Sequence, residues 1–395
     1  MLNQTSYHGA GAIAEIVNEA KAHDYKKAFV CSDPDLIKFQ VSTKVTDLLD
    51  QAGLSYEIYS NIKANPTIEN VQTGVAAFKK SGADYIIAIG GGSSMDTAKA
   101  IGIIIANPEF EDVRSLEGVA PTRKPCVPII AVPTTAGTAA EVTINYVITD
   151  VERKRKFVCV DPHDMPIIAV VDPEMMSSMP KGLTASTGMD ALTHAIEAYI
   201  GRSTTKQTRA ASIEAIQLIF DNLQTAYKNG NDKTARRNML RASYLAGTAF
   251  TKSYVGYVHA VAHSLGGCYG IPHGLANSVL LPIVLKAYGT AAHKKLARLA
   301  RITGISDSKL DAVAAEEFIN HIRSMNISMN IPETLDGIRN EDIPKLACYA
   351  DKEANPLYPV PALWGPEKLE QMYHLVQEVN ENDRSRNSEH PGKAA

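Results

Sequence analysis

Between about residues 26 and 175, short apolar runs alternate with amphipathic stretches. Lys27–Ser32 (KAFVCS), Asp84–Gly90 (DYIIAIG), Val127–Val132 and Ile168–Val171 are apolar at consecutive positions, the pattern of strands buried on both faces. Ser55–Tyr59 reads as a weaker strand. Asp33–Ala52 carries Leu36, Ile37, Val41, Val45 and Leu48 at helical spacing, and Thr67–Ser81 carries Ile68, Val71, Val75 and Phe78. Strands that alternate with helices predict a parallel sheet covered on both faces. Thr143–Thr149 and Lys156–Val160 are β-rich and predict a hairpin beside it. The pattern changes after Pro180. Ala185–Ile200, Gln207–Tyr227, Thr234–Phe250, Ala276–Tyr288, Leu310–Met325 and Pro366–Asn380 all read as helices, with almost no strand pattern among them. The expected architecture is an α/β domain over 1–180 and an all-α domain over 181–380. The tail 381–395 (ENDRSRNSEHPGKAA) lacks large apolar residues and reads as disordered.

Bulk properties narrow the partners. The composition is 45% hydrophobic and 21% charged, and a net charge of −3 gives no electrostatic case for nucleic acid or an anionic membrane. No apolar run reaches transmembrane length, and MLNQTSYHGAG lacks the basic start and apolar core of a signal peptide. The five cysteines (Cys31, Cys126, Cys159, Cys268, Cys348) are odd in number and form no CxxC. That argues against a disulfide scaffold or thiolate zinc site and for a reducing cytoplasm.

Three loops at strand ends carry candidate binding chemistry. Gly90-Gly91-Gly92-Ser93 follows the strand DYIIAI and opens a helix expected over Ser94–Ala106. Glycine permits close backbone approach there, and free N–H groups at a helix start attract phosphate. The bland reading is a tight strand-to-helix turn. Asp33 closes the first strand of the sheet, where a carboxylate can accept from an adenosine ribose 2′-OH and repel a 2′-phosphate, favouring NAD over NADP. It also suits a helix N-cap, and both roles are compatible. Pro133-Thr134-Thr135-Ala136-Gly137-Thr138-Ala139-Ala140-Glu141 puts small and hydroxyl side chains at a strand's carboxyl end, where α/β folds bind ligands. Together these make the first domain a Rossmann-like dinucleotide binder. The GxGxxA match at Gly9–Ala14 precedes any buried strand and carries little weight.

The second domain holds candidate metal chemistry. Val258–Gly274 (VHAVAHSLGGCYGIPHG) places His259, His263 and His273 within fifteen residues. His259 and His263 are spaced i,i+4 and share a helix face, while His273 follows a glycine-rich turn and Pro272. Ala260 follows His259, so the glutamate of an HExxH metalloprotease is missing. Alone, these histidines read equally well as satisfied core or surface groups. Asp190 and His194 in TGMDALTHAIEAY supply a second i,i+4 pair. One carboxylate with two or three imidazoles and no thiolate suits Fe(II) or Zn(II), and less specifically other divalent metals.

The chain resembles the iron-containing (group III) alcohol dehydrogenases over residues 1 to about 380. The likeness is carried by SGADYIIAIGGGSSMDTAKAIGI, NPEFEDVRSLEG, VPTTAGTAAEVTINYVITD, RKFVCVDPHDMP, TGMDALTHAIEAYI and HAVAHSLGGCYGIPHGLAN. The resemblance implies a dehydroquinate-synthase-like fold, with NAD on the α/β domain, metal in the cleft and a homodimer through the N-terminal strands. It implies interconversion of short-chain aldehydes with primary alcohols or diols, leaning toward members that act on lactaldehyde and 1,2-propanediol. General short-chain alcohols or 1,3-propanediol are the alternative. It places the metal ligands on Asp190, His194, His259 and His273, and a non-ligand histidine near the nicotinamide on His263. Cofactor positions fall on Asp33, Asn65, Gly91, Gly92, Ser93, Thr134, Thr135, Thr138, Val147 and Lys156, and substrate-pocket positions on Asn145 and Phe250. Two departures lie in the substrate half. Thr251-Lys252 replaces the expected Ser-Asn, and ADKEANPLYPVPALW lacks an expected cysteine and adds a proline- and aromatic-rich loop. Rival classes are a lyase of the same fold that keeps NAD without net redox change, a non-haem Fe(II) oxygenase, and a metal-stabilised structural domain.

Overall fold

The computed structural model of the chain describes residues 3–377. Its strands are β1 (Thr5–His8), β2 (Lys27–Ser32), β3 (Ser55–Tyr59), β4 (Tyr85–Gly90), β5 (Ile129–Pro133), β6 (Asn145–Asp150), β7 (Arg155–Val160) and β8 (Ile168–Val171). Six of them form one sheet in the order β1-β8-β5-β4-β2-β3, parallel at every pairing. β6 and β7 form a separate antiparallel hairpin. Alternate residues of one strand go to opposite cores. Ile86 and Ala88 of β4 pack on one face with Phe29 and Ile129, while Ile87 and Ile89 pack on the other with Val30 and Ile130. This two-sided burial is why the strands read as unbroken apolar runs.

The helices of this half are α1 (Glu15–Ala22), α2 (Pro34–Lys38), α3 (Thr43–Gln51), α4 (Ile68–Ser81) and α5 (Gly92–Ala106). Two expectations change. The segment 33–52 is two helices, not one, because Gln40 takes a left-handed φ of 58° and turns the chain between them. The helical spacing persists across the break because Leu36, Val41 and Val45 all face the same core. The helix after the glycine-rich turn begins two residues early, at Gly92, with Gly91 as its N-cap.

The second half is helical: α6 (Lys181–Ile200), α7 (Lys206–Lys228), α8 (Lys233–Ser253), α9 (Tyr257–Tyr269), α10 (His273–Tyr288), α11 (Thr290–Ile302), α12 (Asp311–Ser328), α13 (Ile343–Ala354) and α14 (Pro366–Val376). α6 is buried over most of its length, with α7, α8 and α10 packed on it. Among the described residues no single helix is long and apolar enough to cross a membrane. The tail 381–395, and the expected end of the last helix at Asn380, lie outside the described residues.

Candidate metal and dinucleotide site

Asp190 and His194 sit one turn apart on the inner face of α6. His259 comes from α9, and His273 is the first residue of α10, set there by Pro272. Each of the four offers one ligand atom, and these atoms lie within 4.8 Å of one another. The Nε2 atoms of His273 and His259 approach Asp190 Oδ1 at 3.4 and 3.8 Å. Two further residues orient the set. Glu197 Oε2 binds His259 Nδ1 at 2.6 Å, while its Oε1 accepts from Val258 N at 2.8 Å. Asn277 Nδ2 donates to Asp190 Oδ1 at 2.7 Å.

The donor set fits a transition metal on the evidence of its own unpaired atoms. His194 Nδ1, His259 Nε2 and His273 Nδ1 are buried without a hydrogen-bond partner among the described residues. Leaving such nitrogens unsatisfied costs about 1–3 kcal/mol each. With Nδ1 committed to Glu197, the His259 lone pair is on Nε2, the atom that approaches Asp190. Burial, reinforced by neighbouring imidazoles, drives the pKa of His194 and His273 well below the ordinary histidine value. They are therefore held in the neutral form that binding a metal requires. Burial pulls His259 down too, but the hydrogen bond and charge of Glu197 win and raise it. Burial likewise raises Asp190, against the opposing pull of His259. Phe250 closes one side, stacked on His194 with ring centroids 4.3 Å apart and planes at 13°.

His263 stands apart from the four. Its ring stacks on His273 at 5.1 Å and 19°, and its Nδ1 binds Glu353 Oε1 at 2.7 Å. The i,i+4 spacing with His259 is real, yet the two side chains serve different neighbours.

The glycine- and threonine-rich loops meet at the carboxyl ends of β4 and β5, which are adjacent strands. A Cβ on Gly91 would lie 3.0 Å from Thr135 Oγ1, and one on Gly92 would lie 2.9 Å from Thr138 Cγ2. Glycine permits that approach without displacing either threonine, and the first amides of α5 open beside it. Ser93 lies in the first turn of α5, and Thr134 N donates to Gly90 O at 3.0 Å. Asp33 follows β2, on the other side of β4, and its Oδ1 caps Asp35 N and Leu36 N, each at 3.0 Å. The N-cap role is thus present, and Oδ2 is not used in it. Asn65, at a left-handed φ of 60°, accepts from Lys156 Nζ at 2.7 Å. Burial lowers the Lys156 pKa to about 8, although Asp96, Glu353 and Asp190 pull the other way. Val147 N donates to Asp96 Oδ2 at 3.0 Å, and Asn145 O accepts from the buried Lys99 Nζ at 2.9 Å. The Gly9–Ala14 match forms a turn after β1 at the sheet edge, separated from β4 by β8 and β5.

Two glycines seat the two halves against each other, and a third seats α10 on α6. A Cβ on Gly137, in the threonine loop, would lie 2.8 Å from Thr187 Cβ on α6. One on Gly267 of α9 would lie 2.5 Å from Lys156 N on β7, and one on Gly274 of α10 would lie 2.6 Å from Ser186 O. Residues not anticipated from the sequence are Glu197, Asn277, Glu353 and Tyr358. Asn277 follows His273 by one turn, and Glu197 follows His194 by three residues, so a search of helix faces could have found both. Glu353 lies 90 residues from His263, beyond the reach of any local pattern.

Comparison with known proteins agrees with this architecture. The pattern of the iron-containing alcohol dehydrogenases matches residues 3–173, and that of the Fe-containing alcohol dehydrogenase family, C-terminal, matches residues 184–375. Lactaldehyde reductase of Escherichia coli (strain K12) is 49% identical over 353 residues, covering 88% of this chain and 91% of its own. The crystal structure of 1,3-propanediol oxidoreductase superposes with a TM-score of 0.89 at 37% identity, covering 95% of this chain and 98% of its own. Sulfoacetaldehyde reductase from Bifidobacterium kashiwanohense, in complex with NAD+, gives 0.82 at 27% identity over 95% and 97%. A parallel sheet with glycine-rich strand ends, a helical half that gathers one carboxylate and three imidazoles, and this extent of likeness lead to one conclusion: the chain belongs to the iron-containing alcohol dehydrogenase family, the metal-dependent oxidoreductases of alcohols and aldehydes.

Proposed function

We propose that the chain is an NAD(H)-linked dehydrogenase that holds Fe(II) on Asp190, His194, His259 and His273. Its reaction is the interconversion of small aldehydes with primary alcohols or diols, foremost lactaldehyde with 1,2-propanediol. The observation that carries this reading is the gathering of one ligand atom each from Asp190, His194, His259 and His273 within 4.8 Å, with His259 Nε2, beside Asp190, buried and unpartnered. Zn(II) accepts the same donors.

A divalent metal held there supplies Lewis-acid polarisation of a carbonyl or alcohol oxygen. A bound nicotinamide supplies or takes the hydride. The protein's own groups do the rest. The Gly91–Ser93 amides and the hydroxyls of Thr134, Thr135 and Thr138 bind pyrophosphate and ribose, with Asn65, Val147 and Lys156 along the same face. Asp33 accepts from the ribose 2′-OH through its uncommitted oxygen and discriminates against a 2′-phosphate. Phe250 and Asn145 line the substrate pocket, and Phe250 excludes water on the His194 side. His263 donates its Nδ1 hydrogen to Glu353 Oε1 and exchanges the reaction's proton at Nε2.

His273→Ala is expected to lose both metal, by elemental analysis, and activity, whereas His263→Ala keeps its metal and turns over slowly. Metal loss in His263→Ala would refute that division of roles. The deciding assay follows NADH absorbance with lactaldehyde, on protein reconstituted anaerobically with Fe(II), alongside 1,3-propanediol, short-chain alcohols and NADPH. Absence of net NADH consumption with every aldehyde is the outcome a lyase predicts, and it would overturn the reading. The ranking of kcat/KM across the panel decides between lactaldehyde and the 1,3-propanediol or general short-chain alternative. The same proposal takes 1–180 and 181–380 as the two units, a cytoplasmic location in keeping with five unpaired cysteines, and a homodimer formed through β1, whose outer edge is unpaired among the described residues.

A further inference from the structure

We infer that Glu353, held by Tyr358, is the positioning residue for His263. This inference rests on the proton role proposed for His263 above. Glu353 is the penultimate residue of α13, the helix packed along α9, and Tyr358 lies in the loop that follows. One carboxylate oxygen does two jobs: Glu353 Oε1 binds His263 Nδ1 at 2.7 Å and accepts from Tyr358 Oη at 2.9 Å. Among the described residues Oε2 accepts nothing, and the side chain keeps 15% of its surface exposed against 8% for His263.

The arrangement fixes more than distance. An ionised carboxylate only accepts, so its short contact to Nδ1 requires the hydrogen to sit on Nδ1. That leaves Nε2 as the ring nitrogen free for exchange. It also stops rotation about the side-chain bond, because a flipped ring would present carbon to Glu353. The ring plane is set a second time by its stack on His273 at 5.1 Å. Tyr358 is 5% exposed, and burial together with the Glu353 charge holds its phenol well above the ordinary tyrosine value, so it remains a donor. Tyr358 is itself tied back to α13, its N donating to Ala354 O at 2.7 Å. The proline- and aromatic-rich loop that sets this chain apart in sequence therefore ends in a chain of contacts, Tyr358 to Glu353 to His263. The pattern parallels metal-ligating histidines, whose second nitrogen is held by a carboxylate. Here it is applied to the histidine that is not a ligand.

The test compares Glu353→Gln, Glu353→Asp, Tyr358→Phe, His263→Ala and the double variant Glu353→Gln/His263→Ala, each loaded with Fe(II). Iron content, melting temperature, and KM and kcat with NADH and lactaldehyde are measured. Glu353→Gln is expected to keep iron and KM and to lose about tenfold or more in kcat. Tyr358→Phe should lose less, and Glu353→Asp should recover part of the loss. The double variant should be no slower than His263→Ala alone, because one function cannot be lost twice. A structural role would instead add its cost in the His263→Ala background, and that additivity overturns the inference. So does an unchanged kcat in Glu353→Gln while His263→Ala is slow. If His263→Ala turns over normally, the proton role itself fails and the inference falls with it. Should Glu353→Gln fold poorly, Tyr358→Phe decides: parental kcat there overturns the positioning chain.

Discussion

His259 owes its available nitrogen to Glu197. The carboxylate holds the hydrogen on Nδ1 and simultaneously pins the first turn of α9 through Val258 N. Glu197→Gln keeps the shape but removes the charge that makes His259 basic. It should weaken Fe(II) binding by about tenfold to a hundredfold, read by competition with a chelator. An unchanged affinity would show that the contact only packs. The same pair sets a pH dependence. Burial lowers His259, but Glu197 outweighs it and raises the metal-free pKa above the ordinary value. Below that raised pKa a metal must displace a proton, so its apparent affinity falls as pH falls, by about tenfold per unit for one proton. His194 and His273, already neutral through burial, add no step above pH 6.5. Titrating metal affinity between pH 5 and 9 checks this, and a flat profile would contradict the protonation state assigned to His259.

At the level of elements, the site depends on how closely helices approach. The Gly274 Cα faces the Ser186 carbonyl on α6, where a Cβ would sit 2.6 Å from the oxygen. Backbone cannot yield as a flexible side chain would. Gly274→Ala should therefore push the start of α10, and His273 with it, away from Asp190. Iron affinity should drop severalfold although no ligand has changed. Elemental analysis at limiting iron would show it, and full retention would mean the helix pair can slide. Such approaches explain what the sequence could and could not reveal. The strands were legible because two-sided burial leaves unbroken apolar runs, as in Tyr85–Gly90. The pairs Asp190/His194 and His259/His263 were legible because helical spacing puts each on one face. The break at Gln40 was not, since α2 and α3 bury the same side of the sheet on either side of it. Glu353 was not, because only the packing of α13 on α9 brings it to His263. Nor could spacing alone separate His263 from His259, a distinction that depends on Glu197 and Glu353.

Across the whole molecule, the two chemistries occupy separate stretches of chain. Every residue proposed for the cofactor lies between Asp33 and Lys156, and the four proposed metal ligands lie between Asp190 and His273. The sheet is complete at Val171, where β8 joins β1 and β5. This separation acquires a meaning while the protein is being made. At synthesis rates of about 5–20 residues per second, the sheet can close roughly 5–20 seconds before His273 exists. During that interval the growing chain holds no complete iron cage, and Asp190 and His194 can grip a metal only weakly. Iron capture is therefore a terminal event in the life of the nascent chain. Protein synthesised without cells under a chelator, then given Fe(II), should gain full activity, and failure to do so would mean that the metal is needed earlier, while the helices are assembling.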